Sequence, residues 1–186
     1  MAGTLAGTCV ALLRGINVGT AKRVAMADLR ALVEDLGYGG VRTVLNSGNV
    51  VFSAPGTSAA DAAAGIQAAV AQRLGVSCRV VALTAAELAA VVAGNPLAAV
   101  ADNPSRLFVA VLADPADRAL LEPLAGQDWA PEVLAVGARA AYLWCPAGMA
   151  ASRLADAVGR ALGDGVTTRN WATVAKLHAL TDAGRC

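Results

Sequence analysis

Apolar and polar positions change rhythm often enough along this chain to divide it into elements. CVALLRG (9–15) reads as a strand, and after a glycine-containing loop MADLRALVEDLG sets Met26, Leu29, Leu32, Val33 and Leu36 on one helical face, with Gly37 as the stop. VRTVLNSGNVVFSA (41–54) reads as two strands around a two-residue turn at Ser47-Gly48. Ser58 and Asp61 have the spacing of a capping box that opens a helix carrying Ile66, Val70 and Leu74, closed by Gly75. CRVVAL (78–83) is a fourth strand, and Thr84 with Glu87 caps a short helix that ends at Gly94-Asn95-Pro96.

The second half repeats that order in pattern more than in residue identity. RLFVAVLA (106–113) is a strand, and Asp114-Pro115 starts a helix through Leu120, Leu121 and Leu124. PEVLAVGARAAYLWC (131–145) is a hairpin turning near Gly137-Ala138. A helix with Met149, Leu154, Val158 and Leu162 stops at Gly163, and VTT (166–168) leads to Asn170, an N-cap for a last helix bearing Trp171, Val174, Leu177 and Leu180. The expected fold class is α+β: two tandem ferredoxin-like (βαββαβ) halves with antiparallel sheets, because a hairpin between the two helices of each half forces antiparallel neighbours. The expected domains are 1–95, a linker at 96–105, and 106–186 with the terminal helix.

Composition narrows the function. The chain is 56% hydrophobic, but much of that is alanine in helical pattern, and LAAVVAGNPLAAVA (88–101) is too short for a bilayer and broken by Asn95-Pro96. The start, MAGTLAGTCVALLRG, has no basic leader, so a cytoplasmic protein is expected and no membrane association. Fifteen Lys and Arg against fourteen Asp and Glu give no broad electrostatic footprint for nucleic acid. Cys9, Cys78, Cys145 and Cys186 form no C-x-x-C pair and His178 is the one histidine, so neither a structural zinc site nor any other metal or cofactor is expected. Cys9, Cys78 and Cys145 read as small buried hydrophobes, Cys186 as an exposed terminal thiol, and no intramolecular disulfide is expected. His178 reads as a surface or interface residue.

RGINVGTAKRVAMADLR, LNSGNVVFS and TTRNWATVAKL together resemble the bacterial proteins grouped as domain of unknown function 1697, over nearly the full chain. The chain departs from that pattern at Thr20, Ala25, Asn46 and Ala172. The resemblance implies an α+β fold of two ferredoxin-like halves and carries no established activity with it.

The same stretches hold the candidate site. In RGINVGTAKR, Gly15 and Gly19 permit close backbone approach, Asn17 lies between them, and Arg14, Lys22 and Arg23 supply charge, a combination suited to holding an anion. The loop matches neither usual nucleotide fingerprint, and its structural reading is a strand-to-helix connection. Asn46, Ser47 and Asn49 offer amides and a hydroxyl to a ligand, or serve the hairpin turn itself. Arg169 stands before a helix N-terminus with Asn170 at the cap and Lys176 on the helix, while Trp171 reads as core. Mutual repulsion of Arg14, Lys22 and Arg169 is the argument for one anion shared among them. No nucleophile motif, metal cluster or carboxylate pair identifies a reaction, so no catalytic residue is assigned. Three classes follow: binding of a small phosphate- or carboxylate-bearing ligand, an enzyme on the same Arg/Lys/Asn surface, or an interaction module that forms a homodimer.

Overall fold

The computed structural model describes residues 7–182, and Cys186 lies outside them. Among these residues the order is β1 (Thr8–Arg14), α1 (Met26–Asp35), β2 (Gly39–Val44), β3 (Asn49–Ser53), α2 (Ala59–Leu74), β4 (Arg79–Thr84) and α3 (Ala85–Ala93). It continues with β5 (Leu107–Leu112), a 3-10 helix (Pro115–Leu121), α4 (Glu122–Ala125), β6 (Val133–Val136), β7 (Ala140–Trp144), α5 (Arg153–Leu162), β8 (Val166–Asn170) and α6 (Trp171–Asp182). Two four-stranded sheets result, β2-β3-β1-β4 and β6-β7-β5-β8, and every neighbouring pair is antiparallel. This is the expected α+β plan of two split βαβ halves. One compact unit runs to Leu88 and resumes from Leu177; the other is Ala89–Lys176.

Strand alternation places each core. In the first unit Cys9, Ala11 and Leu13 of β1 join Val50 and Phe52 of β3 and Val80 and Ala82 of β4, packed with Leu29, Leu32 and Val33 of α1 and Ile66 and Val70 of α2. In the second, Ala110, Leu112, Ala141, Leu143 and Cys145 join Leu121, Leu154, Val158 and Leu162. Each fully buried Leu, Ile or Phe contributes about 1.5–3 kcal/mol relative to exposure. The β1 register runs from Cys9 opposite Thr84 to Arg14 opposite Arg79, which sets Cys9 and Cys78 at opposite ends of the strand pair. Cys9, Cys78 and Cys145 are free thiols; Cys78 is half-buried where a core position was expected.

Local chemistry explains the helix ends. Ser58 Oγ accepts from Asp61 N at 3.0 Å, and Gly75 closes α2 at φ 65°, a conformation that suits a residue without a Cβ. Thr84 and Glu87 form a reciprocal box: Glu87 N donates to Thr84 Oγ1 at 3.1 Å, and Thr84 N donates to Glu87 Oε2 at 2.8 Å. The acids at the end of α1 lie on its solvated face, with Glu34 paired to Arg30 and Asp35 to Arg73, exposed ion pairs of small energetic weight.

Four expectations are corrected. The first hairpin turns through four residues, Leu45 to Gly48, since Val44 pairs with Asn49. Residues 115–125 form a 3-10 helix and a single α-turn instead of one helix, because Pro123 has no N–H for the Ala119 carbonyl, which accepts from Glu122 N instead. Met149 lies in a separate 3-10 turn, and α5 starts after Ser152, whose hydroxyl accepts from Ala155 N at 2.9 Å. Trp171 is half-buried at the start of α6. Ser152 is buried and also receives the Cys145 thiol, with Sγ 3.3 Å from its Oγ. Ser152→Ala should therefore lower stability by about 1–2 kcal/mol, read as a reduced thermal midpoint, with native circular dichroism retained.

Candidate functional site

β1 delivers the chain into a loop that folds back on itself. Gly15, Asn17, Gly19 and Lys22 all take positive φ, at 79°, 54°, 62° and 52°. Asparagine is the side chain that tolerates this conformation and bonds backbone groups from it. Asn17 N donates to Lys22 O at 3.0 Å, its Oδ1 accepts from Val24 N at 2.9 Å, and its Nδ2 donates to Val24 O at 2.9 Å. The same Nδ2 donates to Asn46 O at 2.8 Å, which ties the loop to the hairpin tip. Residues 29 apart in sequence are thus held side by side by one amide.

The hairpin tip is built to receive that bond. Leu45 and Gly48 have φ of 59° and 82°. Asn49 is fully buried, and its Nδ2 donates to Val44 O at 2.7 Å and to Ser47 Oγ at 2.9 Å. Leu13 N donates to Gly48 O at 2.8 Å and anchors the tip to β1. Asn46 and Ser47 are exposed, as are Val18 and Leu45 on either side of the Asn17–Asn46 bond.

Between loop and hairpin lies an open cleft of about 440 Å³ lined by Asn17, Arg23, Val24, Ala25, Met26 and Asn46. Ala25 is the N-cap of α1 and supplies no side-chain acceptor, so the first-turn N–H groups of this helix lack the usual cap. Met26 opens the helix and lines the cleft, which places the positive end of α1 at its wall. Arg23 is exposed there, and no acid is among the lining residues; Asp28, also in the first turn, is exposed. Lys22 leans the other way, its Nζ donating to Ser77 O at 3.1 Å. It lies close enough to Cys78 to oppose the rise in that thiol's pKa caused mainly by burial. Arg14 is half-buried at the end of β1 opposite Arg79.

The remaining candidates belong to the second unit. Arg169 lies within β8, paired with Val109, beyond the expected strand end at Thr168; its Nη1 donates to Thr168 O at 2.9 Å. Burial pushes its pKa down to about 10, which still leaves a cation at neutral pH. Asn170 Oδ1 accepts from Thr173 N at 2.9 Å and caps α6. Lys176 is exposed on that helix. In the first unit His178 pairs with Asp182 at 3.5 Å.

Of the twelve candidates, Asn17, Arg23 and Asn46 line the cleft, Gly15 and Gly19 shape its loop, and Ser47 and Asn49 close the hairpin. Ala25 and Met26 were not among the expected site residues, although an alanine where Ser, Thr, Asp or Asn would cap the helix was a visible signal. Nor was Arg79 expected as the neighbour of Arg14. Among the described residues no group of three or more His, Cys, Asp or Glu is placed to hold a metal, and no helix is long and apolar enough to cross a membrane.

A family model described as protein of unknown function (DUF1697) matches residues 7–142. No curated protein matches the chain. Among solved structures, the conserved bacterial protein SP0830 from Streptococcus pneumoniae superposes with a TM-score of 0.76 at 21% identity, covering 94% of this chain and 98% of that one. At that identity the likeness concerns the fold.

Proposed function

We propose that this chain, which belongs to the DUF1697 family, binds a small phosphate- or carboxylate-bearing ligand in the cleft at the N-terminus of α1. The observation that carries the reading is the uncapped start of α1 in a cleft whose wall also presents Arg23. Free N–H groups and the helix dipole favour an anion, and a guanidinium adds a charge-assisted donor. Asn17 is occupied by backbone partners and gives the cleft its shape, while Asn46 carries its amide at the rim. Binding is favoured over turnover because, among the described residues, no Ser, Cys, His, Asp or Glu lines the cleft to act as nucleophile or general base. Three free thiols suit a reducing compartment, and we place the protein in the cytoplasm.

Inorganic phosphate tests the reading. It should raise the thermal midpoint, by the equivalent of about 2.7 kcal/mol at a hundredfold excess over its dissociation constant. Arg23→Gln should weaken binding about tenfold and leave the unliganded midpoint in place, since Arg23 is exposed. Sodium chloride at matched ionic strength is the control for screening alone. A phosphate effect no larger than that of chloride, or one indifferent to Arg23→Gln, overturns the proposal.

A further inference from the structure

Each sheet has two edge strands; Arg42 in β2, which also has a register shift between Gly39 and Arg42, and Arg79 in β4 are exposed, and β8 carries the half-buried Arg169. Charges and bulges on an edge discourage another strand from adding to it. The fourth edge, β6, is Val-Leu-Ala-Val, with no charge and no register shift, and it pairs on one side only, with β7. Its first residue, Val133, is exposed. Beside this edge runs an open groove of about 340 Å³ lined by residues 125 and 127–134. Trp129 forms one wall and is held in place, its Nε1 donating to Leu124 O at 2.8 Å.

The chain that leads into and lines the groove is acidic in sequence. From Asp114 to Val136 the chain carries Asp114, Asp117, Glu122, Asp128 and Glu132 against a single base, Arg118. Asp128 and Glu132 line the groove itself, and no base does. Glu132 also caps α5, its Oε2 accepting from Leu154 N at 3.0 Å, while Asp128 Oδ1 accepts from Ala130 N at 3.0 Å and fixes the turn before the strand.

We propose that the β6 edge of the second unit takes up an extended segment of a partner protein that alternates basic and apolar side chains. The segment pairs its main chain with β6, lays an apolar side chain against Trp129, and sets Lys or Arg beside Asp128 and Glu132. Strand addition of this kind draws affinity from main-chain bonds and selectivity from the side-chain pockets along the edge. Charge decides the occupant: Asp128 and Glu132 line the groove and no base is among its described lining residues, so a basic segment neutralises them where a neutral or acidic one does not.

The test uses the full chain and a capped peptide alternating valine and arginine. Titration should shift the backbone amide resonances of Val133 to Val136 and of Trp129. Asp128→Asn retains the turn acceptor and should weaken binding about two- to fivefold. Val133→Lys places a charge on this edge and should weaken it about tenfold or more. A peptide N-methylated at alternate residues, which alters no protein residue, should not bind. Equal binding by a valine–glutamate or N-methylated peptide, or shifts elsewhere on the chain, overturns the proposal. So does a free chain that sediments as a dimer and becomes monomeric on Val133→Lys, since the edge would then belong to a second copy.

Discussion

Gly48→Ala is expected to destabilise the chain by about 2–4 kcal/mol. Two causes add. Gly48 holds φ 82°, where an L side chain costs about 1 kcal/mol or more. Its added Cβ would also stand 2.6 Å from Ile16 Cδ1 and 3.0 Å from Leu13 Cβ, both residues buried. Ile16 could turn its end atom aside, but Leu13 Cβ is fixed by β1 and by the Leu13 N bond to Gly48 O at 2.8 Å. The hairpin tip must therefore lift or the start of the loop must shift. Denaturant unfolding should show a lower midpoint with an unchanged slope. Gly15→Ala is the comparison: its φ is 79° but no atom lies within 4 Å of an added Cβ, so it should lose only the conformational term. If the two variants lose equal stability, contact with Leu13 and Ile16 is not what makes Gly48 necessary.

That contrast shows what the sequence reveals and what it hides. The succession of strands and helices along the chain, both hairpins and the caps at Ser58, Thr84 and Asn170 were legible because each depends on residues within a few positions of one another. The length of the first hairpin loop was not, because it requires a leucine at φ 59°, a conformation that the residue type argues against. The strand was expected to end at Thr168, before Arg169 and the helix start, yet pairing with Val109 carries β8 on to Asn170. Tertiary hydrogen bonding overrides local signal there. The cleft was half legible. Its glycines, cations and asparagines stand out in the sequence, but the amide that joins Asn17 to Asn46 crosses 29 positions, and no local pattern encodes it. Charge alone misjudged Lys22, whose ammonium settles on the Ser77 carbonyl away from the cleft.

Asn17→Ala should unite stability and binding in one measurement. The substitution removes the donors to Val24 O and Asn46 O and the acceptor for Val24 N, and it puts alanine at φ 54°. Each lost bond is worth about 0.5–1.5 kcal/mol and the backbone strain about 1 kcal/mol, so a loss of about 2.5–5.5 kcal/mol is expected. Val24 is buried, which makes its unpaired N–H the costliest of the three. Asn17→Asp separates the contributions: it keeps the acceptor for Val24 N, deletes both donors, and brings a negative charge into the cleft. Its second carboxylate oxygen, an acceptor, then faces the Val24 and Asn46 carbonyl oxygens, so this variant should fold no better than the alanine variant. It should also bind phosphate worse, because its carboxylate competes for Arg23 and the start of α1. The alanine variant, under conditions where it remains folded, should lose most phosphate affinity because the loop no longer holds Arg23 against the hairpin. If Asn17→Asp binds phosphate as well as the unaltered chain does, the anion does not sit beside Asn17, and the cleft at α1 is not its site.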